Sequence, residues 1–193
     1  MSRFGPEVDV ERAAFVHESA QLYGKLRAGD GASLWLNVVA RAEMHEIVVG
    51  DFSNVQDFVM LHVGYATPTI VGAHCSITHH VTLHGCTIGD ACLIGINATI
   101  MDGAMIGEHS IVAGHAIVGE GTIVPPNSIV AGVPAKLVKT RNNAIANRLN
   151  AWLYHRNALA YARGEHRAWS DPDLFRAHDA EAARLRELYG LEQ

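Results

Sequence analysis

Three histidines carry the strongest chemical signal in the sequence. His62 and His84 each directly follow a leucine, Leu61 and Leu83, and His79 lies five residues before His84. A neutral imidazole is a good ligand for borderline divalent metals, and three such rings around one ion leave a fourth position open for water. Water held there ionises with a pKa of about 7 and supplies a hydroxide nucleophile at neutral pH. The three cysteines, Cys75, Cys86 and Cys92, form no Cys-x-x-Cys pair, so they point to neither a cysteine zinc site nor a disulfide framework and fit a reducing cytosol. No Ser-His-Asp order, phosphate-cradling loop or dinucleotide fingerprint stands out.

What must position the histidines is a repeat. Aliphatic or small apolar residues recur every six positions at Val10, Val16, Leu22, Ala28, Leu34 and Ala40. After a shift they continue at Val49, Val55 and Leu61, and after another at Val71, Ile77 and Leu83. A five-residue step then leads to Ile88, followed by Ile94, Ile100, Ile106, Val112, Val118, Val124 and Val130. Four residues after most markers sits a small side chain, among them Ala20, Ala32, Ser53, Cys75, Cys92, Ala98, Ala104, Ser110, Ala116 and Ser128, and both columns are expected to face inward. A period of six is neither helical nor heptad, and the β-branched markers favour strands. Glycines that follow the markers (Gly50, Gly72, Gly89, Gly95, Gly107, Gly119) are read as corners that need special backbone angles. The pattern resembles the hexapeptide-repeat family, which implies a mainly β fold: a left-handed parallel β-helix with three hexads per triangular coil, over about residues 10 to 135.

In that frame His62 and His84 occupy the same outward position of their hexads. Their separation of 22 residues is one coil plus the four extra residues between Leu61 and Val71. If the insertion loops out at Gly64 to Pro68, the two rings stack on successive coils. His79, two after marker Ile77, belongs to the preceding face and diverges from the pair. Only a second copy of the chain can then bring a third histidine to the metal, so a cyclic oligomer follows, and a three-sided prism suits a trimer.

The stretches Asn54-Val55-Gln56-Asp57, Leu61-His62, Ser76-Ile77-Thr78-His79 and Leu83-His84-Gly85-Cys86-Thr87-Ile88-Gly89-Asp90 closely resemble the γ-class carbonic anhydrases and their bacterial relatives. That resemblance implies zinc, with iron or cobalt as alternatives, held by His62 and His84 of one subunit and His79 of its neighbour in a homotrimer. It implies that Gln56 hydrogen-bonds the water on the metal and that Arg41 and Asp57 form an ion pair between subunits. Family members usually carry Arg-Gly-Asp where this chain has Arg41-Ala42-Glu43, so the catalytic carboxylate is kept as Glu43 but lengthened by a methylene. The acidic loop with a proton-shuttling glutamate is missing, because Gly64-Tyr65-Ala66-Thr67-Pro68 is short and has no acid. His45, Glu46 and His80 are read as solvated residues.

The implied activity is reversible hydration of carbon dioxide to bicarbonate, slowed by the missing shuttle. The alternative is hydrolysis of a coenzyme A thioester, or acyl transfer, on the same fold. Residues 1–138 are assigned to the metal-binding β-helix and 139–193 to a helical extension. In the latter, Ile145, Leu149, Trp152, Leu153 and Leu159, then Leu174, Phe175, His178, Ala182, Leu185 and Leu188, recur at helical spacing, the second set after Asp171-Pro172. These helices are expected to pack along the prism or cover its last coil. The remaining histidines (His17, His74, His109, His115, His155, His166, His178) are expected at the surface or in packing. A chain of 193 residues, 49% hydrophobic, can bury a core, and its net charge of -5 gives no basic field for nucleic acid. Met1 to Arg12 is polar and acidic rather than signal-like, and no apolar run approaches the roughly 18 to 20 residues of a membrane span. The expected protein is cytoplasmic, binds no nucleic acid or membrane, and acts on a small molecule.

Overall fold

Apolar residues six apart are buried together when a chain runs two or three residues straight, turns a corner, and repeats. Each straight piece then lies in register on the equivalent piece one coil earlier. The computed structural model describes residues 4–190 and has this form: a parallel β-solenoid followed by two helices. Residues 1–3 of the range 1–138 and residues 191–193 of the range 139–193 lie outside the described residues.

The prism has three faces. On the third face, Val16, Leu34, Val55, Ile77, Ile94, Val112 and Val130 pair directly, coil upon coil. The first and second faces merge into one 11-stranded sheet because Gln21–Ala28 and Val39–Val49 continue around the corner between them. From Leu22 onward every marker is at most 5% exposed, and Val10 and Val16 are partly buried against the same core. Each buried Val, Leu or Ile contributes about 1.5–3 kcal/mol of transfer free energy. Cys75, Cys86 and Cys92 are free and buried in this column, as their spacing suggests.

The corner glycines are needed for a different reason from the one expected. Gly50, Gly72, Gly89, Gly95 and Gly107 do not adopt left-handed angles. A Cβ on any of them would lie 2.4–2.9 Å from an atom of the next coil. Gly119 precedes the end of the stack and meets nothing closer than 3.9 Å. Close stacking, not backbone conformation, excludes a side chain there. The left-handed angles fall on three other columns instead, one at each corner: Asn37-Phe58-His80-Asn97-His115, Gly31-Phe52-His74-Ala91-His109-Asn127 and Gly85-Gly103-Gly121.

After the turn at 132–135 the strand Lys136–Thr140 folds back antiparallel onto Ser128–Ala131 and ends the stack. Helix α1 (Ala144–Tyr161) then runs back along the prism, and α2 (Pro172–Leu188) packs on it. As expected, α2 starts at Asp171, which caps the amide of Asp173 (2.9 Å) ahead of Pro172 at the first turn.

The contact face of α1 differs from the expected apolar stripe. Ile145, Leu149, Trp152, Leu153 and Leu159 are only half-buried, whereas Ala144, Asn147, Ala151, Asn157, Ala158 and Ala160 are buried. The corner of the solenoid presents backbone carbonyls, so it selects small residues for close approach and amides as donors. Asn143 donates to His109 O (3.1 Å), and Asn147 to Ala91 O (2.8 Å) and Ser110 O (3.2 Å). Asn150 Oδ1 accepts from Ser76 Oγ (2.7 Å), and His155 Nδ1 donates to Gly31 O (3.0 Å). At the far end, Phe15, Trp35, Tyr154 and Tyr161 form a cluster of tilted and edge-on rings. No helix among the described residues is long and apolar enough to cross a membrane.

Because Asn147 satisfies two buried carbonyls, Asn147→Leu is expected to destabilise the protein by about 1–3 kcal/mol despite leucine's better helix propensity. Urea unfolding of the two proteins measures the difference, and a leucine variant of equal or higher stability would contradict the amide-seam account.

Candidate metal centre

The ladder between Met60–His62 and Thr82–His84 sets His62 opposite His84, with Leu61 opposite Leu83 beneath them. The insertion between these coils is absorbed by residues 63–68, closed by Gly64 N–H donating to Thr67 O (2.9 Å). Both rings stand at the corner between the first and second faces, three-quarters buried, their centroids 4.9 Å apart.

The ring nitrogens are sorted by carboxylates. His84 Nδ1 lies 2.8 Å from Asp102 Oδ1, and His62 Nε2 lies 3.1 Å from Glu43 Oε2. A carboxylate accepts, so each of these nitrogens carries its proton and leaves a lone pair on the other. Those others are His62 Nδ1 and His84 Nε2, 3.0 Å apart. At this separation a proton bridges the two nitrogens in the metal-free chain, and a metal cation can take the proton's place. Nitrogens on a tetrahedral metal, each at 2.0–2.1 Å, lie about 3.4 Å apart, so a few tenths of an ångström of adjustment admits the ion. The residues present therefore fit half of a metal site.

Asp102 is seated by the absence of side chains. A Cβ on Gly64 or Gly85 would come within 2.2 or 2.1 Å of its Oδ1. Gly85 has φ +56°, which lets the shortened five-residue step turn the corner. Asp102 had a sequence signal, since it is two after marker Ile100 as Gly85 is two after Leu83, but an Asp-Gly pair at a corner looks like an ordinary turn.

His79 stands at the other end of the first face. Its Nδ1 lies 2.9 Å from Asp57 Oδ2, which leaves Nε2 for a different partner. Near it, Gln56 is 1% exposed and donates from Nε2 to Asn54 Oδ1 (2.8 Å). Tyr154 of α1 belongs to the same corner. Burial, then the charge of Asp57, pushes its phenol up to about 12, so it stays protonated. The fold thus brings together Arg41, Glu43, His62 and His84 at one corner and Gln56, Asp57 and His79 at another. Arg41 pairs within the chain with Glu43, at the half-site opposite Asp57. Among the described residues no group of three metal-binding side chains converges within one chain.

Slight burial raises the Glu43 carboxyl, but its own backbone N–H, Arg41 and His62 outweigh that and hold it below the usual range. Cys86 is pushed up to about 12 by burial, and Cys75 is raised by burial and Cys92, so neither is a thiolate nucleophile. His45 reaches Tyr65 O (3.2 Å), Glu46 pairs with Lys25 (3.5 Å), and His80 stacks on Phe58.

The bacterial transferase hexapeptide (six repeats) family model matches residues 85–119. This defines a hexapeptide-repeat protein, and the relatives narrow the class. A protein named "Probable carbonic anhydrase" from Methanocaldococcus jannaschii is 48% identical over 124 residues, 64% of this chain and 78% of the relative. Gamma carbonic anhydrase 3, mitochondrial, from Arabidopsis thaliana is 37% identical over 51% of this chain and 41% of its own length. Among solved structures, a hexapeptide transferase family protein from Anaplasma phagocytophilum is 30% identical with a TM-score of 0.71, covering 81% of this chain and 91% of that one. The chain belongs to the γ-class carbonic anhydrase family of hexapeptide-repeat proteins. It spans most of the archaeal relative's length and about two-fifths of the plant one's.

Asp102→Asn keeps the shape of the side chain but weakens its hold on His84 Nδ1–H. Affinity for added zinc is expected to fall about 10- to 100-fold while the melting temperature of metal-free protein stays close to wild type. Competition with a chromophoric chelator measures the first quantity, and unchanged zinc affinity would remove Asp102 from the site.

Proposed function

We propose that the protein is a metal-dependent carbonic anhydrase that interconverts carbon dioxide and bicarbonate as a homotrimer. In it, His62 and His84 of one subunit and His79 of the partner subunit hold zinc, or iron or cobalt in its place. The observation that carries this is the pair of converging lone pairs on His62 Nδ1 and His84 Nε2, 3.0 Å apart and each set by a carboxylate on the far nitrogen. The divergence of His79 supports a site shared between copies.

When bound, the metal supplies a Lewis acid that makes hydroxide available near neutral pH. This chain's residues do the rest. Asp102, Glu43 and Asp57 fix the three rings in the tautomers that present lone pairs. Gln56, clamped by Asn54, offers its amide to orient the attacking water. Glu43 is ionised and half-exposed, and its Oε2 accepts the His62 Nε2–H, which makes it a carboxylate that orients this ring rather than a proton store. Arg41, paired with Glu43 within the chain, would exchange that partner for Asp57 of the partner subunit when two half-sites meet. Three free buried thiols suit a reducing compartment, and we place the protein in the cytoplasm.

A second reading, hydrolysis of a coenzyme A thioester or acyl transfer, is favoured by the likeness to the Anaplasma hexapeptide transferase family protein. Elemental analysis coupled to stopped-flow hydration separates them. About one metal per chain with hydration above buffer supports the anhydrase, and bound metal without hydration moves the assignment to acyl chemistry.

His79→Ala is expected to lose metal and weaken the trimer together, as seen by elemental analysis and light scattering; stoichiometric metal in this variant would overturn the shared site. Gln56→Ala should keep metal and assembly while lowering turnover roughly 10- to 100-fold, and equal turnover would exclude Gln56 from the reaction.

A further inference from the structure

The metal half-sites leave the C-terminal helices without a chemical role, yet these helices enclose the most distinctive cleft in the molecule. It lies at the corner between the second and third faces, where α1 and α2 meet Phe52 and His74, and has a volume of about 370 Å³. That is the lower range of small-ligand pockets. The metal-binding histidines stand at the other two corners, so assembly through them leaves this corner facing outward.

The walls combine unneutralised cations with flat rings. Arg148, Arg156 and Arg184 line the cleft, against a single carboxylate, Glu181. Both Glu181 oxygens accept from Arg184 (2.8 and 2.6 Å), which with the more distant charge of Arg148 holds its carboxyl below the usual range, so one carboxylate faces three guanidinium groups. Arg148 is half-buried, and its hydrogen-bond partners are neutral: His74 Nε2 at 2.8 Å and the Tyr189 hydroxyl at 3.3 Å. Burial and Arg148 push His74 down to about 4, so it does not compete for an anion as a cation. Two acids near His74, Asp51 and Asp90, spend an oxygen each on the backbone amides of Asp30 and Ala73 (2.8 Å both). Arg156 touches only the Trp152 ring, 5.8 Å from its centroid. Neither Arg148 nor Arg156 forms an ion pair among the described residues. Phe52 lies flat on His74, with centroids 5.3 Å apart and planes at 6°, and Trp152 faces the same space.

Two guanidinium groups outside any ion pair among the described residues, beside aromatic surfaces in a concave site, define a ligand class. We propose that this cleft is a binding site for a small aromatic anion, a planar ring carrying a carboxylate or phosphate. The charged group is received by Arg148 and Arg156, whose planar donors suit either oxyanion. The ring lies against Trp152 and beside the exposed edge of Phe52, whose faces are taken by His74 and Gly31.

Isothermal titration of the metal-loaded protein with phenyl phosphate tests this, with benzoate, inorganic phosphate and benzyl alcohol as companions. The expected result is saturable binding of phenyl phosphate and benzoate with Kd below about 1 mM, inorganic phosphate at least about tenfold weaker, and no binding of benzyl alcohol. Arg156 is exposed and makes no hydrogen bond among the described residues, so Arg156→Gln should fold normally, keep carbon dioxide hydration unchanged and weaken phenyl phosphate about tenfold or more. Binding of phenyl phosphate that is lost in His84→Ala but retained in Arg156→Gln would put the anion at the metal instead and overturn the proposal. So would absence of binding, equal affinity for phosphate and phenyl phosphate, or indifference to Arg156→Gln. The outcome does not depend on the chemistry at His62, His79 and His84, since the readout is binding at the opposite corner.

Discussion

The rest of the structure depends on the in-register stacking of parallel coils. A two- or three-residue strand has almost no stability alone, and it persists because its backbone groups pair with the coil above and below while its one inward side chain joins a continuous core. Register is therefore stringent, since a slip of one residue would turn every marker outward. Irregularities must go to the corners. The extra residues at 63–68 and the missing residue at Gly85 both fall at the corner that carries His62 and His84. The insertion restores the alignment of the two histidines, and the deletion brings the next coil's Asp102 against His84. The same constraint that makes the solenoid rigid fixes the two ring nitrogens at ligand separation.

Because each coil touches only its neighbours, chemistry on this fold is written along columns and cannot be gathered from distant strands. Three outward columns at three corners never converge on one point. This is why the proposed site divides into the pair His62-His84 and the single His79, each ring set against a carboxylate. Completion by another copy would couple assembly to metal retention, with neither half binding tightly alone.

Much of this was legible in the residues. The period of six and its small partner column gave the faces, the core and the position of the loop, and counting through the insertion aligned His62 with His84. The glycine corners were located correctly but for the wrong physical reason. A period shows where a side chain is excluded, and only the neighbouring coil shows that its backbone occupies the Cβ position of Gly50 or Gly95. Asp102 was missed because its role comes from contact across a corner, and no local pattern separates it from any other turn aspartate.

Helix α1 shows the limit of hydrophobic periodicity most clearly. The leucine stripe was real as a pattern, yet the surface α1 must match is a corner lined with carbonyls, and there alanine and asparagine fit better than leucine. Burial follows complementarity to the opposing surface, and for a solenoid edge that surface is polar backbone. Seating the helix by amides at one corner leaves its longer side chains, Arg148, Trp152 and Arg156 among them, outside the solenoid core, with Arg148 on His74 at the edge. The seam that holds the helix is thus also what leaves cations and rings around an open cleft, while the first face stays clear for the histidines at its two ends.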